Sequence, residues 1–217
     1  MKPIKSLFIL AAIMSVPAVA SAQGYYGGGG GYSAPHTELP GGFHNRQGRL
    51  IFGGSLGLGA MSDNGGDIEC ATCSYSTVAG EGDLHIGGFL GPRFALMAEG
   101  QVNIQTLDSD RFTGDTTTLV QSALMIAGQY WITPQLWIKG GIGFANIRVD
   151  RSYYGDGITD EQSVPENGGA IMGAIGFEIL SSRLFSIDLQ GRLINASYKG
   201  IDNNVTGASV GIGINWF

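Results

Sequence analysis

Apolar and polar residues alternate along eight stretches of this 217-residue chain, and this period of two constrains its fold more than any other feature. Successive side chains of a β-strand point to opposite faces, so the alternation predicts strands with one apolar and one polar face. In the clearest stretch, Phe94 to Gln105, the even positions are apolar or glycine, and the odd positions include Glu99 and Gln101. The other stretches span residues 50–60, 84–90, 120–130, 136–145, 170–179, 185–193 and 209–216. We therefore predict an all-β fold.

The connections between the predicted strands differ in length in a regular way. Short turns are expected at Gly91–Arg93, Thr133–Gln135 and Ser181–Arg183, and long polar segments at Ser62–Gly82, Leu107–Thr118, Arg148–Asn167 and Ser197–Thr206. An even number of antiparallel strands, joined by short turns at one end and long loops at the other, is typical of barrels that cross a membrane. The fold class that we predict is an eight-stranded antiparallel up-and-down transmembrane β-barrel over residues 48–217.

The two faces of the strands differ in polarity, which decides the side that meets lipid. One face is almost wholly aliphatic residues, phenylalanine and glycine, whereas the other carries small, amide and charged residues. Eight strands enclose room only for side chains. Aromatic residues also collect at the strand ends beside the short turns, as they do at membrane interfaces. They are Phe89, Phe94, Tyr130, Trp131, Trp137, Phe177, Phe185, Trp216 and Phe217. We expect the apolar face outside; the alternative is a secreted soluble barrel that packs this face inward and binds an apolar ligand.

Composition excludes several classes of function. The net charge is −6, which argues against a nucleic-acid partner. The 37 glycines follow no triplet period, which excludes collagen, and two cysteines are too few for a disulfide-rich scaffold.

The N-terminal residues have the order of a secretory signal peptide. Lys2 and Lys5 precede an apolar core at 7–16, and small residues at 18–22 provide a cleavage site after Ala22. The next segment, 23–47, is rich in glycine and tyrosine, and we predict a flexible tail because its backbone loses much entropy on ordering. The predicted domains are thus a signal peptide at 1–22, a tail at 23–47 and a barrel at 48–217.

Charged and amide residues share the face that we expect to line the lumen. Charges enclosed there must be paired or hydrated. We predict a polar network that fills the lumen and blocks conduction; the alternative is a narrow gated pore lined by the same charges. The candidate residues are Glu99, Lys139, Glu178, Asp188 and Arg192, with Gln129, Gln190 and Gln101 as neutral members.

The first long segment contains Cys70 and Cys73, which are separated by two residues. In a secreted protein this spacing favours a small local disulfide over a redox-active pair or half of a zinc site. The same segment is acidic, and we assign Glu81 and Asp83 to it as solvated loop residues. Neither a catalytic group, a metal site nor a cofactor is predicted.

Two motifs resemble the small eight-stranded outer-membrane β-barrels of the OmpA/OmpX type. They are Gln135–Phe144, with the sequence QLWIKGGIGF, and the alternating ending Val210–Phe217, with the sequence VGIGINWF. Because the sequence stops at Phe217, we expect a barrel without the peptidoglycan-binding domain that follows the barrel in OmpA. The resemblance covers Arg49 to Phe217.

The resemblance implies a location in the bacterial outer membrane, with the N-terminus and short turns in the periplasm and the long loops outside. Its partners would be outer-membrane lipid, lipopolysaccharide and the barrel-assembly machinery, which in this family reads a C-terminal aromatic residue. Trp216 and Phe217 are the candidates, although only Trp216 shares the parity of the apolar face. We expect a non-enzymatic role in structure, envelope integrity or surface interaction. Lipid-modifying barrels give an enzymatic alternative, for which His85 would be the histidine.

Overall fold

In the computed structural model, antiparallel strands close into a barrel, as predicted. The structure describes residues 42–63, 66–67, 78–108, 116–152, 161–182, 184–199 and 204–217. Within them the barrel strands are β1 Leu50–Asp63, β2 Ala79–Gly91, β3 Phe94–Asp108, β4 Thr116–Trp131, β5 Leu136–Ser152, β6 Glu161–Ser181, β7 Phe185–Tyr198 and β8 Asn204–Trp216. Each strand pairs with the next along the chain, and β8 pairs with β1 to close the sheet. A two-residue strand, Gly66–Asp67, pairs with Ser62 and Asp63 at the last residues of β1.

The strands are longer than the alternation predicted at the end that carries the long connections, which we call the loop end. The ladder between β5 and β6 continues to the pair Ser152 and Glu161, inside the predicted loop. Strand β2 begins at Ala79 rather than after Gly82. The three short connections lie where they were predicted, at the opposite end, which we call the short-turn end.

The polarity of the wall is the one predicted for a transmembrane barrel. Leu96, Ile138 and Leu189 point outward and are 44%, 43% and 54% exposed. Glu99 and Arg192 point inward and are 0% and 4% exposed. Among the described residues, no helix is long and apolar enough to span a membrane.

The lumen is less uniformly polar than the sequence suggested. Toward the loop end it contains buried apolar side chains, including Met61, Leu119, Ile147 and Ile194. Their parity places them inward because the alternation continues beyond the stretches that were predicted as strands. The lumen therefore has, toward the loop end, a mixed layer in which these apolar side chains alternate with the buried amides of Asn103, Gln105 and Gln121.

The aromatic residues divide between the two sides of the wall, which corrects the prediction that all of them form an outer ring. Phe94, Tyr130, Phe177, Phe185 and Trp216 are 38–50% exposed on the outside. In contrast, Phe89, Trp131 and Trp137 are 1–3% exposed inside the barrel. Odd positions of β2, β4 and β5 face the lumen, and these three residues have that parity.

Part of the predicted flexible tail is folded against the short-turn end of the barrel. The segment Phe43–Gly48, which we call the N-terminal strap, turns through Gly48 at a φ of 77°. Gly48 then donates its N–H to the Phe89 carbonyl over 3.0 Å. The Arg93 guanidinium lies 3.7 Å from the centre of the Phe43 ring. The prediction of a flexible tail is wrong for this part, because the strap exchanges solvent for aromatic and ionic contacts. Residues 1–41, to which the predicted signal peptide and the rest of the predicted tail belong, lie outside the described residues, as do Cys70 and Cys73.

Candidate functional site: the ion-paired lumen

Glu99 lies at the centre of the charged layer and is bound by two cations. The Lys139 ammonium lies 3.0 Å from Glu99 Oε2, and the Arg192 guanidinium lies 3.3 Å from Glu99 Oε1. These side chains come from β3, β5 and β7 and are at most 5% exposed. The barrel thus brings together three predicted residues that are far apart in sequence.

Two further carboxylates bind the same arginine. Arg192 contacts Glu81 at 2.6 Å and Asp83 at 2.7 Å. Both acids lie on β2 and are 6% and 5% exposed, so their assignment to a solvated loop was wrong. The physical reason is that β2 starts at Ala79, which gives Glu81 and Asp83 the inward parity of the strand.

A chain of hydrogen bonds continues from Asp83 across the lumen. His85 Nδ1 lies 2.9 Å from Asp83 Oδ1, and His85 Nε2 lies 2.7 Å from Asn215 Oδ1. Asn215 donates its amide N–H to Asp188 over 2.7 Å. We call the connected set the central cluster; it comprises Glu81, Asp83, His85, Glu99, Lys139, Asp188, Arg192 and Asn215.

Glu178 belongs to a separate group at the short-turn end. Arg46 of the strap reaches into the barrel and contacts both carboxylate oxygens of Glu178, at 2.9 and 3.0 Å. Trp131 Nε1 and the Ser181 hydroxyl also donate to this carboxylate, over 2.7 and 2.6 Å. We call Arg46, Trp131, Glu178 and Ser181 the end cluster. The structure therefore divides the predicted network between two clusters.

The glutamines line the lumen with few visible partners. Gln129 and Gln190 are 1% and 6% exposed. The amide nitrogen Nε2 of Gln129 and the oxygen Oε1 of Gln101 make no hydrogen bond to the described residues. These residues line the lumen, and within the described part of the chain no hydrogen bond joins them to the ion pairs.

The central cluster has the composition of a metal site but not its charge balance. Ligand atoms of Asp83, His85 and Glu99 lie within 4.8 Å of one another. Arg192 contacts both carboxylates, and Lys139 contacts Glu99, so cations of the chain already neutralise these oxygens. The arrangement is an internal ion-pair cluster, and we do not assign a metal to it.

The two C-terminal aromatic residues face different ways. Trp216 is 50% exposed on the outer wall, with its ring centroid 6.2 Å from that of Phe52. Phe217 turns to the short-turn end, where the Arg46 guanidinium lies 3.8 Å above its ring. Its ring also meets Phe89 edge-on at 5.7 Å. Of the two candidates for an assembly signal, Trp216 is the one on the apolar face.

Several residues of the site were missed in the sequence. Glu81 and Asp83 share the inward parity of β2, so alternation extended by a few residues would have identified them. Asn215 already lay on the inward face of the predicted stretch 209–216, but nothing in the sequence distinguished it from the other residues of that face. Arg46 gave no such signal, because it precedes β1 in a glycine-rich segment.

The sequence matches no protein-family model and no curated protein. Solved structures match at the level of the fold. The structure of Ail, the attachment invasion locus protein of Yersinia pestis, in complex with the heparin analogue sucrose octasulfate aligns with a TM-score of 0.56 at 9% identity, over 78% of this chain and 99% of that chain. A second structure of Ail aligns with a TM-score of 0.53 at 11% identity, over 78% of this chain and 99% of Ail. By its closed sheet, its apolar outer wall and its similarity to Ail, this chain has the fold of a small eight-stranded outer-membrane β-barrel.

Proposed function

We propose that this protein is a non-enzymatic barrel of the bacterial outer membrane, with a role in structure, envelope integrity or surface interaction, and that its own side chains close its lumen. The observation that carries the proposal is Glu99, which is fully buried between Lys139 and Arg192 at the centre of an apolar-walled barrel. Lipid around the wall would accommodate the exposed apolar side chains, while pairing inside the lumen neutralises the buried charges.

The outer wall supports a membrane location. Leu56, Phe144 and Ile142 are 78%, 81% and 68% exposed on the outside of the closed sheet. Monomeric soluble proteins rarely expose contiguous apolar patches of more than a few hundred Å². Lipid is the environment in which such a wall carries no hydrophobic penalty.

The packing of the lumen supports closure. A permeating ion would have to separate Glu99 from its two cations. Removing one partner from a buried ion pair costs about 3–5 kcal/mol, because it leaves the other charge buried and unpaired. It would also have to pass the layer toward the loop end, which Met61 and Ile194 fill together with Asn103, Gln105 and Gln121, all at most 5% exposed. Asn103 donates to Gln121, and Gln121 donates to the Tyr198 hydroxyl, so these polar groups are already bound to one another.

Conductance across planar bilayers tests closure against the small-pore alternative. We expect no reproducible channel from the wild-type protein at neutral pH. A reproducible channel that changes with Lys139→Ala, and not with the exposed control Arg148→Ala, would establish the pore instead. Arg148 suits the control because it also forms an ion pair, with Asp150, but its own side chain is 49% exposed.

Cell fractionation combined with gel migration before and after boiling tests the membrane barrel against the secreted soluble barrel. We expect the protein in the outer-membrane fraction, with a heat-dependent shift in migration. Recovery in the soluble fraction without such a shift would favour a soluble barrel with an apolar ligand.

The long connections are the proposed surface for interaction, in contact with lipopolysaccharide. Ser62–Val78 contains three acidic residues, Asp63, Asp67 and Glu69, and no lysine or arginine. Acidic loops oppose polyanions, so we do not extend to this chain the sucrose octasulfate that Ail binds in its structure. We expect lipopolysaccharide binding that requires divalent cations and is lost in chelator; binding that is unchanged by chelator would contradict it.

Processing and orientation complete the proposal. We propose cleavage after Ala22, a periplasmic short-turn end and a disulfide between Cys70 and Cys73 in an extracellular loop. The mature mass measures the cleavage, and alkylation without reductant on intact cells measures the thiols. We also propose that Trp216 and Phe217 act in recognition by the barrel-assembly machinery, so that alanine at either position lowers the folded yield.

A further inference from the structure

The end cluster is a small site that the barrel builds and that a side chain from outside the barrel fills. Glu178 of β6, Trp131 of β4 and Phe89 of β2 are 0%, 3% and 3% exposed. Phe217, which follows β8, packs edge-on against Phe89 with the ring centroids 5.7 Å apart. Arg46, in contrast, belongs to the strap that precedes β1. The site and its occupant therefore come from separate segments of the chain.

Two groups of the barrel orient the Glu178 carboxylate independently of the arginine. Trp131 Nε1 donates to Oε1 over 2.7 Å, and the Ser181 hydroxyl donates to Oε2 over 2.6 Å. The backbone N–H of Glu178 also donates to the Gln135 carbonyl over 2.8 Å, which fixes this part of β6. A carboxylate that its own barrel holds in one orientation is prepared for a cation before the cation arrives.

The geometry of the site fits a guanidinium group better than an ammonium group. Nη1 and Nη2 of Arg46 donate to the two oxygens of Glu178 over 2.9 and 3.0 Å, and Nη2 also donates to the Ser181 hydroxyl over 3.1 Å. The guanidinium carbon lies 3.8 Å from the centre of the Phe217 ring and 5.4 Å from that of Trp131. A planar fork satisfies both the carboxylate and the ring face, whereas an ammonium is a compact point charge.

The recognition is confined to the outer half of the guanidinium. Nε of Arg46 is buried but makes no hydrogen bond to the described residues. The two terminal nitrogens that the site binds are present in every alkylguanidinium. An alkylguanidinium from another source therefore offers the site the same donors and the same flat face as Arg46.

We propose that the end cluster, together with Phe217, is a guanidinium-binding site, which Arg46 fills as an internal ligand and which takes an arginine side chain of another polypeptide when the strap is displaced. Displacement of the strap leaves Glu178 buried without its cation, which is unfavourable until another cation replaces it. The proposal concerns the short-turn end of the barrel and does not depend on the function proposed above.

Chemical rescue of Arg46→Ala tests the site in the full-length protein in detergent micelles. The probe is the propylguanidinium cation, and propylammonium is the matched control with the same charge and alkyl chain. The ¹⁵N–¹H signal of the Trp131 indole reports binding, because this group donates to Glu178. We expect propylguanidinium to shift this signal saturably toward its wild-type position. Propylammonium should bind at least about tenfold more weakly, because it cannot make both parallel hydrogen bonds.

The wild-type protein should not respond to either cation, since Arg46 occupies the site. Equal shifts by the two cations in Arg46→Ala, or no shift by either, would overturn the proposal. Adding Glu178→Gln to Arg46→Ala should abolish the response to propylguanidinium, and a response that persists would place the binding elsewhere. If Arg46→Ala does not fold alone, the two cations are compared by the folded yield on refolding. A higher yield with propylguanidinium alone supports the site, and equal yields refute it.

A peptide with the sequence FHNRQG of residues 43–48 tests the arginine of another polypeptide. Arg46→Ala should admit this peptide, because the variant strap has lost its ion pair with Glu178. We expect the peptide to shift the Trp131 indole signal, and the same peptide with lysine in place of arginine to leave it unchanged. Equal binding of the two peptides, or binding of neither, would show that the site does not take an arginine from another chain.

Discussion

Replacement of Arg46 by alanine tests whether the N-terminal strap closes the short-turn end. The change would leave the Glu178 carboxylate without its cation, although this carboxylate is 0% exposed. Loss of one partner from a buried ion pair costs about 3–5 kcal/mol. Because Trp131 and Ser181 still donate to Glu178, we expect the low end, about 3 kcal/mol.

The matched control is Arg148→Ala, since Arg148 also pairs with an acid, at 3.1 Å, but on an exposed part of the barrel. An exposed pair contributes about 0–1 kcal/mol. Unfolding in denaturant, measured in detergent micelles by tryptophan fluorescence, gives both free energies. Adding Glu178→Gln to Arg46→Ala should recover part of the loss, because an amide needs no counter-ion. Equal effects of Arg46→Ala and Arg148→Ala would refute the bound strap.

Two further predictions test the packing and polarity of the wall. Gly176→Ala places a Cβ within the Trp137 ring and should lower the free energy of unfolding by about 1–3 kcal/mol. Gly173→Ala is the control, because a Cβ there meets no other atom. Equal unfolding midpoints for the two variants would show that the Trp137 ring is free to move. Leu189→Arg puts a charge on the outer wall, where it should cost about 2–4 kcal/mol near the bilayer midplane. An unfolding free energy equal to that of the wild type in vesicles would place Leu189 outside the lipid.

The fold could be predicted because the alternation is a local property that each strand repeats. Every predicted outward face, from Leu50 to Trp216, is the outer face of the barrel. The inner ion pairs were harder to predict, because register and strand length decide them. Extending the alternation of β2 by a few residues would have moved Glu81 and Asp83 from a loop to the lumen.

Other features of the site depend on contacts that no local pattern contains. Arg46 enters the barrel because Glu178 is there to receive it, and those residues are 132 positions apart. Trp131 and Trp137 lie at strand ends, as interfacial residues do, but their parity turns them inward. The odd or even position of a residue was the better indicator of the side it faces, because the pleat of the strand turns successive side chains to opposite faces. Closeness to the strand end does not determine the face.

Quenching of tryptophan fluorescence by lipids with brominated acyl chains tests the inside-out polarity most directly. The chain has three tryptophans, so variants that retain one each can be compared in the same vesicles. Trp216 is 50% exposed on the wall, whereas Trp131 and Trp137 are 3% and 1% exposed in the lumen. We predict strong quenching of the protein that retains Trp216 and little quenching of the other two. Strong quenching at Trp137 with none at Trp216 would contradict an apolar wall that faces lipid.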